Sequence, residues 1–238
     1  MKAPIIHIKG LDLAGKTTAR DRLARCLGGW KVRSNRLIEH NEVFELVDRL
    51  RREDALDAES LGHLFVAALS ADLRGFRPNE QPLIQDSTIL LRSLAYHRVN
   101  QTPGVVEAFE RLLPLHPRFT VTVVLTASIE ARRQRLELRR LRTASEVAPD
   151  DLLVERDPAK FMAMERELVE LATEHFNAKV VDTSDLDEPM VTQEIINLAG
   201  FPLLALGLHG KTQEFRNSKS HYASPLPWSC LVPIVRTS

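Results

Sequence analysis

The run Gly10-Leu-Asp-Leu-Ala-Gly-Lys-Thr17 constrains this chain more than any other feature. It satisfies the spacing GxxxxGK[ST]. An apolar stretch, residues 4–9 (PIIHIK), precedes it, and an amphipathic stretch, residues 16–27, follows. A strand, a glycine-bounded loop and a helix in that order make a cradle for phosphate. Gly10 and Gly15 let backbone N–H groups curl around phosphate oxygens. The first helical turn adds unpaired donors and the positive end of its dipole. Lys16 supplies a point charge for the outer phosphates, and Thr17 a hydroxyl for a magnesium ion. Leu13, Ala14 and Thr18 complete the loop and its first turn. The motif implies a nucleoside triphosphate, and it is shared by proteins of many activities.

The rest of the chain reads as alternating strands and helices, the pattern of an α/β fold with a parallel sheet. Strands are expected at residues 4–9, 30–38, 81–85, 119–125 and 179–182. Helices are expected at 16–27, 42–52, 58–73, 88–99, 105–113, 128–142, 159–176 and 188–198. From residue 200 the prolines multiply and the period disappears, so residues 200–238 are expected to be an irregular tail.

Composition removes several function classes. Lys+Arg and Asp+Glu are both 32, which argues against a protein built to coat nucleic acid or an anionic membrane. The two cysteines, Cys26 and Cys230, have no metal-ligand spacing. The N-terminus lacks the pattern of a signal peptide, and no apolar run reaches the roughly 18–20 residues needed to span a bilayer. The expected setting is the cytoplasm, with a small molecule rather than a polymer as partner.

The residues following the loop sharpen this. HIKGLDLAGKTTARDRLA resembles the start of the thymidylate kinases, whose loops read I-E-G-x-D-G-x-G-K-[ST]-T. In order along the chain, LGHLFVAALSADL is similar to their L-L-F-A-A-D-R helix. QPLIQDSTILLRSLAYHR is similar to their strand ending in Asp-Arg. TVTVVLTASIEARRQRLELRR is similar to the segment before their mobile lid. VVDTSDLDEPMVTQEI is similar to their last strand and adenine-side loop. The resemblance covers residues 3–198, and the deoxynucleoside kinases share the same core. It implies a three-layer P-loop nucleoside triphosphate hydrolase fold: a parallel sheet of about five strands flanked by helices. The kinase domain would be residues 1–199, with a lid at about 140–158. It also implies ATP and Mg²⁺ as cofactors, and a homodimer is one assembly open to it.

Site roles follow from the resemblance residue by residue. Lys16 meets the transferring phosphoryl. Asp12 meets the acceptor's sugar hydroxyl. Glu39 takes the place of a base. Asp86 holds Mg²⁺ or orients the acceptor, unless it merely caps the helix that follows. Arg132, Arg135 and Arg139 recur at three and four residues and so share a helix face. Arg139 or Arg142 is the expected lid arginine on phosphate, with Arg156 behind them, and Arg135 belongs to the nucleotide side. Asp182 and Ser184 lie on the adenine side. Phe65, Leu69, Arg92, Tyr96 and His97 are expected to line the acceptor pocket.

Two departures bear on the acceptor. Where the family carries arginines, this chain aligns Ser70 and Ser87. With less positive charge, a neutral hydroxyl acceptor is favoured over a monophosphate such as dTMP. A monophosphate kinase, a kinase of another alcohol and a regulatory NTPase remain the alternatives. Arg74 and Arg92 are the arginines that could replace the missing ones.

Overall fold

The computed structural model describes residues 3–77, 80–142, 147 and 150–200. The chain divides into two units, Met1–Phe201 and Pro202–Ser238, and only the first contains described residues. The expected tail from residue 201 therefore lies outside the described residues. So do residues 143–146 and 148–149 of the expected lid, and the side chain of Arg142.

The elements run β1 (Ile5–Lys9), α1 (Lys16–Leu27), β2 (Lys31–Ser34), α2 (Glu42–Arg52), α3 (Ala58–Gly75) and β3 (Leu83–Asp86). There follow α4 (Ile89–Val99), α5 (Pro103–Leu112), a 3₁₀ turn (Leu113–Leu115), β4 (Val121–Thr126), α6 (Ile129–Arg142) and α7 (Leu153–Arg156). Last come α8 (Pro158–Phe176), β5 (Lys179–Asp182) and α9 (Glu188–Leu198). Among the described residues five helix starts are capped as their sequences dictate, α6 by Ser128, which accepts from Ala131 N–H at 3.1 Å. Asn41 accepts from Phe44 N–H, Asp57 from Ser60, Asp157 from Lys160 and Asp187 from Met190.

All strand pairs are parallel, in the order β2-β3-β1-β4-β5. The register sets the layers. Ile6 and Ile8 of β1, Ile84 of β3 and Val123 and Leu125 of β4 alternate to one face, and all are fully buried. Val124 points to the other face, into a cluster with Leu90, Leu94, Phe109, Leu168 and Leu171. There α4 packs on α8, while α1 packs on α9. Each such buried aliphatic side chain contributes about 1.5–3 kcal/mol. Among the described residues, no helix is long and apolar enough to cross a membrane.

Several boundaries differ from expectation for local reasons. β2 stops at Ser34 because Asn35 turns left-handed, at φ 61°. β3 begins at Leu83, after Pro82, which has no N–H to give the ladder. The single turn α7 leaves no mark in the sequence, since four residues are too few to show a helical period.

The topology fixes where a site can form. β1 and β3 are neighbours, and the connections leaving them run to opposite sides of the sheet, to β2 and to β4. A crevice opens beyond the carboxyl ends of such strands. Gly10 follows β1 there, and Ser87 follows β3.

Candidate active site

The loop after β1 is held from outside. Arg135 Nη1 donates to the Leu13 carbonyl at 2.9 Å, and the single proton of the Thr183 hydroxyl is shared between the Thr126 carbonyl at 2.9 Å and the Ala14 carbonyl at 3.2 Å. Arg132 donates to the Asp12 carbonyl. A trans peptide points its N–H opposite to its C=O, so these bonds turn the N–H groups inward. Gly10 is required twice over. Its φ is +147°, and a Cβ there would stand 2.3 Å from the Leu125 carbonyl oxygen. Gly15, at φ 85°, leads directly into α1. Lys16 Nζ lies in the same cradle, 2.6 Å from the Leu11 carbonyl. Burial lowers its pKa, and Asp12 opposes that shift. Thr17 and Thr18 are exposed in the first helical turn.

The face predicted for α6 is real, and two of its arginines, Arg132 and Arg135, hold carbonyls of the loop. Arg132 is fully buried. It also donates to the Ala127 carbonyl at 2.9 Å and to Glu165 of α8, with its guanidinium 4.8 Å from the Phe161 ring centroid. Burial lowers the Arg132 pKa and raises that of Glu165, each opposed by the other's charge. Arg135 is shared between Leu13 and Thr183, whose carbonyl it meets at 2.5 Å. Arg139 pairs with Asp151 at 2.6 Å. Arg156 closes α7. Asp182 accepts from the Ser184 hydroxyl at 2.5 Å and its N–H at 2.9 Å, which holds its pKa down. Ser184 Oγ in turn accepts from Ser128 N–H at 2.8 Å, tying the loop after β5 to the loop after β4.

On the other side of the crevice the structure is a chain of ion pairs. Asp12 accepts from Arg92 at 2.6 and 3.2 Å. Burial would raise its pKa, but Arg92 and then Lys16 hold it well below the usual carboxylate range. Arg92 also reaches Asp150 Oδ2 at 2.9 Å, and the same oxygen accepts from Arg51 Nη1 at 2.8 Å. Asp86, at the end of β3, does not cap α4, where Thr88 takes the cap position. Its Oδ2 faces Arg20 of α1 at 3.1 Å, and Arg20 also reaches Ser34 Oγ at 3.2 Å. Ser87 is buried at φ 62°. Lys9, 1% exposed, donates to the Thr88 carbonyl at 2.6 Å. Burial pushes its pKa well down, helped by Arg92 and Lys16 and opposed by Asp86 and Asp12.

The expected acceptor-side residues divide. Arg92 and Tyr96 lie four residues apart on α4, beside the ion-pair chain, and Phe65 of α3 is 6.2 Å from the Phe44 ring. Leu69 is fully buried in the core cluster. His97 is also a core residue, not a pocket wall. It is 3% exposed, bonded to Thr102 Oγ1 at 2.7 Å, and packed where a Cβ on Gly62 would come within 2.5 Å. Glu39 is exposed and borders a depression along β2 with Ser34 and Arg36. Its neighbour Asn41 is anchored to Asp72 at 2.7 Å. Ser70 Oγ donates to the Val66 carbonyl at 2.9 Å. Arg20, Lys9, Arg51 and Asp150 were not singled out from sequence. No spacing rule links them to the loop.

The parallel sheet, its order β2-β3-β1-β4-β5 and the glycine-bounded loop after β1 together make a layered α/β fold with a phosphate-loop motif at its centre. Solved structures agree. A thymidylate kinase from Candida albicans superposes with a TM-score of 0.59 at 17% identity, over 82% of this chain and 92% of that one. A deoxyadenosine kinase from M. mycoides with bound dCTP gives 0.54 at 19% identity, over 81% and 97%. A thymidylate kinase from Ehrlichia chaffeensis gives 0.55 at 18% identity, over 84% and 100%. No protein-family model matches the chain, and no curated protein does.

Proposed function

We propose that the protein transfers the terminal phosphoryl group of ATP to a nucleoside-like small molecule. The observation that carries this is the meeting of the phosphate loop with the Asp12–Arg92 pair: one loop residue joins the cradle to the acceptor side of the crevice. Such transfer needs positive charge, a metal ion and an oriented oxygen rather than covalent chemistry by the protein. Lys16 supplies charge to the phosphoryl group. Arg139 or Arg142 would do the same from the lid. Arg135, Asp182 and Ser184 would flank the nucleotide base.

Mg²⁺ fits the oxygen donors present. Among the described residues no group of three or more acidic, histidine or cysteine side chains could cage a metal. An ion here would rest on nucleotide phosphates, water, the Thr17 hydroxyl and the Asp86 carboxylate, the sparse protein ligation Mg²⁺ usually accepts. When bound it would neutralise charge between the outer phosphates. Arg20 holds one oxygen of Asp86 and leaves the other for such a role.

Two readings of the acceptor rest on different observations. Ser70 and Ser87 carry no charge, which supports a neutral hydroxyl with Glu39 or Asp86 as base. Arg92 at the loop supports a monophosphate. We further propose residues 1–199 as the catalytic domain, residues 200–238 as dispensable for it, and the cytoplasm as its place of action, as monomer or homodimer. The decisive experiment incubates the protein with Mg-ATP and a panel of nucleosides, nucleoside monophosphates and other alcohols. ADP release and product masses are followed. ADP formation that no acceptor stimulates would defeat the kinase reading.

A further inference from the structure

We propose that Arg51 and Arg92 form a seat for the phosphate of a monophosphate acceptor, and that Asp150 fills that seat in the structure described here. This rests on the reading that an acceptor binds beside the phosphate loop.

Two guanidiniums from different helices, α2 and α4, converge on a single atom, Asp150 Oδ2, at 2.8 and 2.9 Å. A convergence of two full positive charges calls for an anion. The chain supplies a poor one. A carboxylate brings one negative charge, and here one oxygen serves both arginines. A phosphate monoester brings about 1.5 to 2 negative charges and three acceptor oxygens, enough to bond both forks separately. The existing occupant is also weakly held. The Arg51 and Asp150 side chains are 44% and 45% exposed, and exposed ion pairs contribute little.

Both arginines stay aimed if Asp150 leaves. Arg92 keeps its two bonds to Asp12, and Arg51 keeps Asp48 at 3.1 Å. Arg92 therefore holds the seat one guanidinium away from the phosphate loop. Tyr96, one turn further along α4, gives a ring on the same helix face for the rest of the acceptor. A phosphate seated here needs no base. One of its ionised oxygens forms the new bond to the γ-phosphorus as the bond from that phosphorus to the β-bridging oxygen breaks. ADP keeps the electron pair.

The test uses the full chain with ADP present to fill the phosphate loop. Calorimetry measures binding of dTMP, dAMP, dCMP and dGMP and of the four matching deoxynucleosides. The proteins are the parent, Arg51→Gln at an exposed position and Asp150→Asn at a half-buried one, each checked by its melting curve. Turnover with the same compounds gives KM for acceptor and for ATP. Arg51→Gln should weaken the best monophosphate roughly tenfold. Asp150→Asn should tighten it several-fold. Neither should move nucleoside affinity or KM for ATP. Unchanged or weaker monophosphate binding in Asp150→Asn overturns the seat, as do equal effects on nucleosides. A shift confined to KM for ATP places the arginines on the donor phosphates and overturns it too. If nucleosides bind and are phosphorylated while no monophosphate binds, the seat fails and the nucleoside-kinase reading stands. If neither class binds or turns over, that reading falls and the seat with it.

Discussion

The two sides of the crevice are built on different principles. The side proposed for the nucleotide is a local motif whose backbone is braced from behind. Arg132 and Arg135 of α6 and Thr183 of the loop after β5 reach the carbonyls of Asp12, Leu13 and Ala14. The side proposed for the acceptor is a relay of charged side chains running from Asp12 through Arg92 and Asp150 to Arg51. The braced side is rigid by construction, because loss of one brace leaves a buried polar group without a partner. The relay is partly exposed and exchangeable, because Arg92, Asp150 and Arg51 each have two partners.

The sharpest way to break this comparison is at Lys16. Lys16→Ala should cut turnover by two to three orders of magnitude, since one lost contact to a developing charge costs about 3–4 kcal/mol. The fold should survive, because Lys16 bonds only the Leu11 carbonyl among the described partners. Steady-state rates and a thermal melt together check it. Near-normal turnover in a folded variant would remove the nucleotide side from the chemistry altogether.

Next in size is the brace itself. Arg132→Met should destabilise the protein by about 3–5 kcal/mol, because Glu165 would be left buried and unpaired. The Asp12 carbonyl would lose its donor as well. Replacing both members, Arg132→Met with Glu165→Leu, should recover much of that loss. Urea midpoints at constant slope measure both. A single variant as stable as the parent would mean the loop is not braced through this pair.

The two sides also differ in how far the sequence reveals them. The loop is legible because everything in it lies within eight residues and has a spacing dictated by phosphate. The strand and helix order is legible because apolar runs and 3.6-residue periods are local. Even the shared face of Arg132, Arg135 and Arg139 could be predicted, though not that it would grip loop carbonyls. The relay is illegible for the opposite reason. Arg92 meets Asp12 across 80 residues, and Arg51 meets Asp150 across 99. A charged residue on a helix looks the same in sequence whether it faces water or a partner. Leu69 and His97 illustrate the converse: they sit on the expected helices, but rotation of the helix face takes them into the core.

A third prediction concerns pH and the core beneath both sides. His97 and His116 have pKa values lowered from 6.5 to about 4, chiefly by burial, and His7 is shifted in the same direction. Below 6.5 the unfolded chain takes up protons that the folded chain refuses until about 4. Stability should therefore be full above 6.5 and fall as pH drops through that window, by up to about 3 kcal/mol per histidine at its lower end. Melting temperatures from pH 7.5 to 4.5 test this. A flat profile would mean these rings are not held neutral in the folded protein.

The smallest expected effect sets the ends of β1 and β3 against each other. Gly10 and Ser87 follow adjacent strands, and both have positive φ, 147° and 62°. At Gly10 the conformation and the space both forbid a side chain, given the Leu125 carbonyl at 2.3 Å from a built Cβ. Alanine there should displace the loop and abolish nucleotide binding. At Ser87 the left-handed backbone costs a non-glycine residue about 1 kcal/mol. Glycine would relieve that strain and lose a similar amount by loosening the unfolded chain. Ser87→Gly should thus change stability by less than about 1 kcal/mol. Its N–H bond to the Ile8 carbonyl at 2.8 Å survives the change, so nucleotide affinity should stay within about twofold. If Ser87→Gly instead raised KM for the acceptor tenfold with stability unchanged, the serine hydroxyl would be an acceptor contact. The end of β3 would then be as exacting as the end of β1.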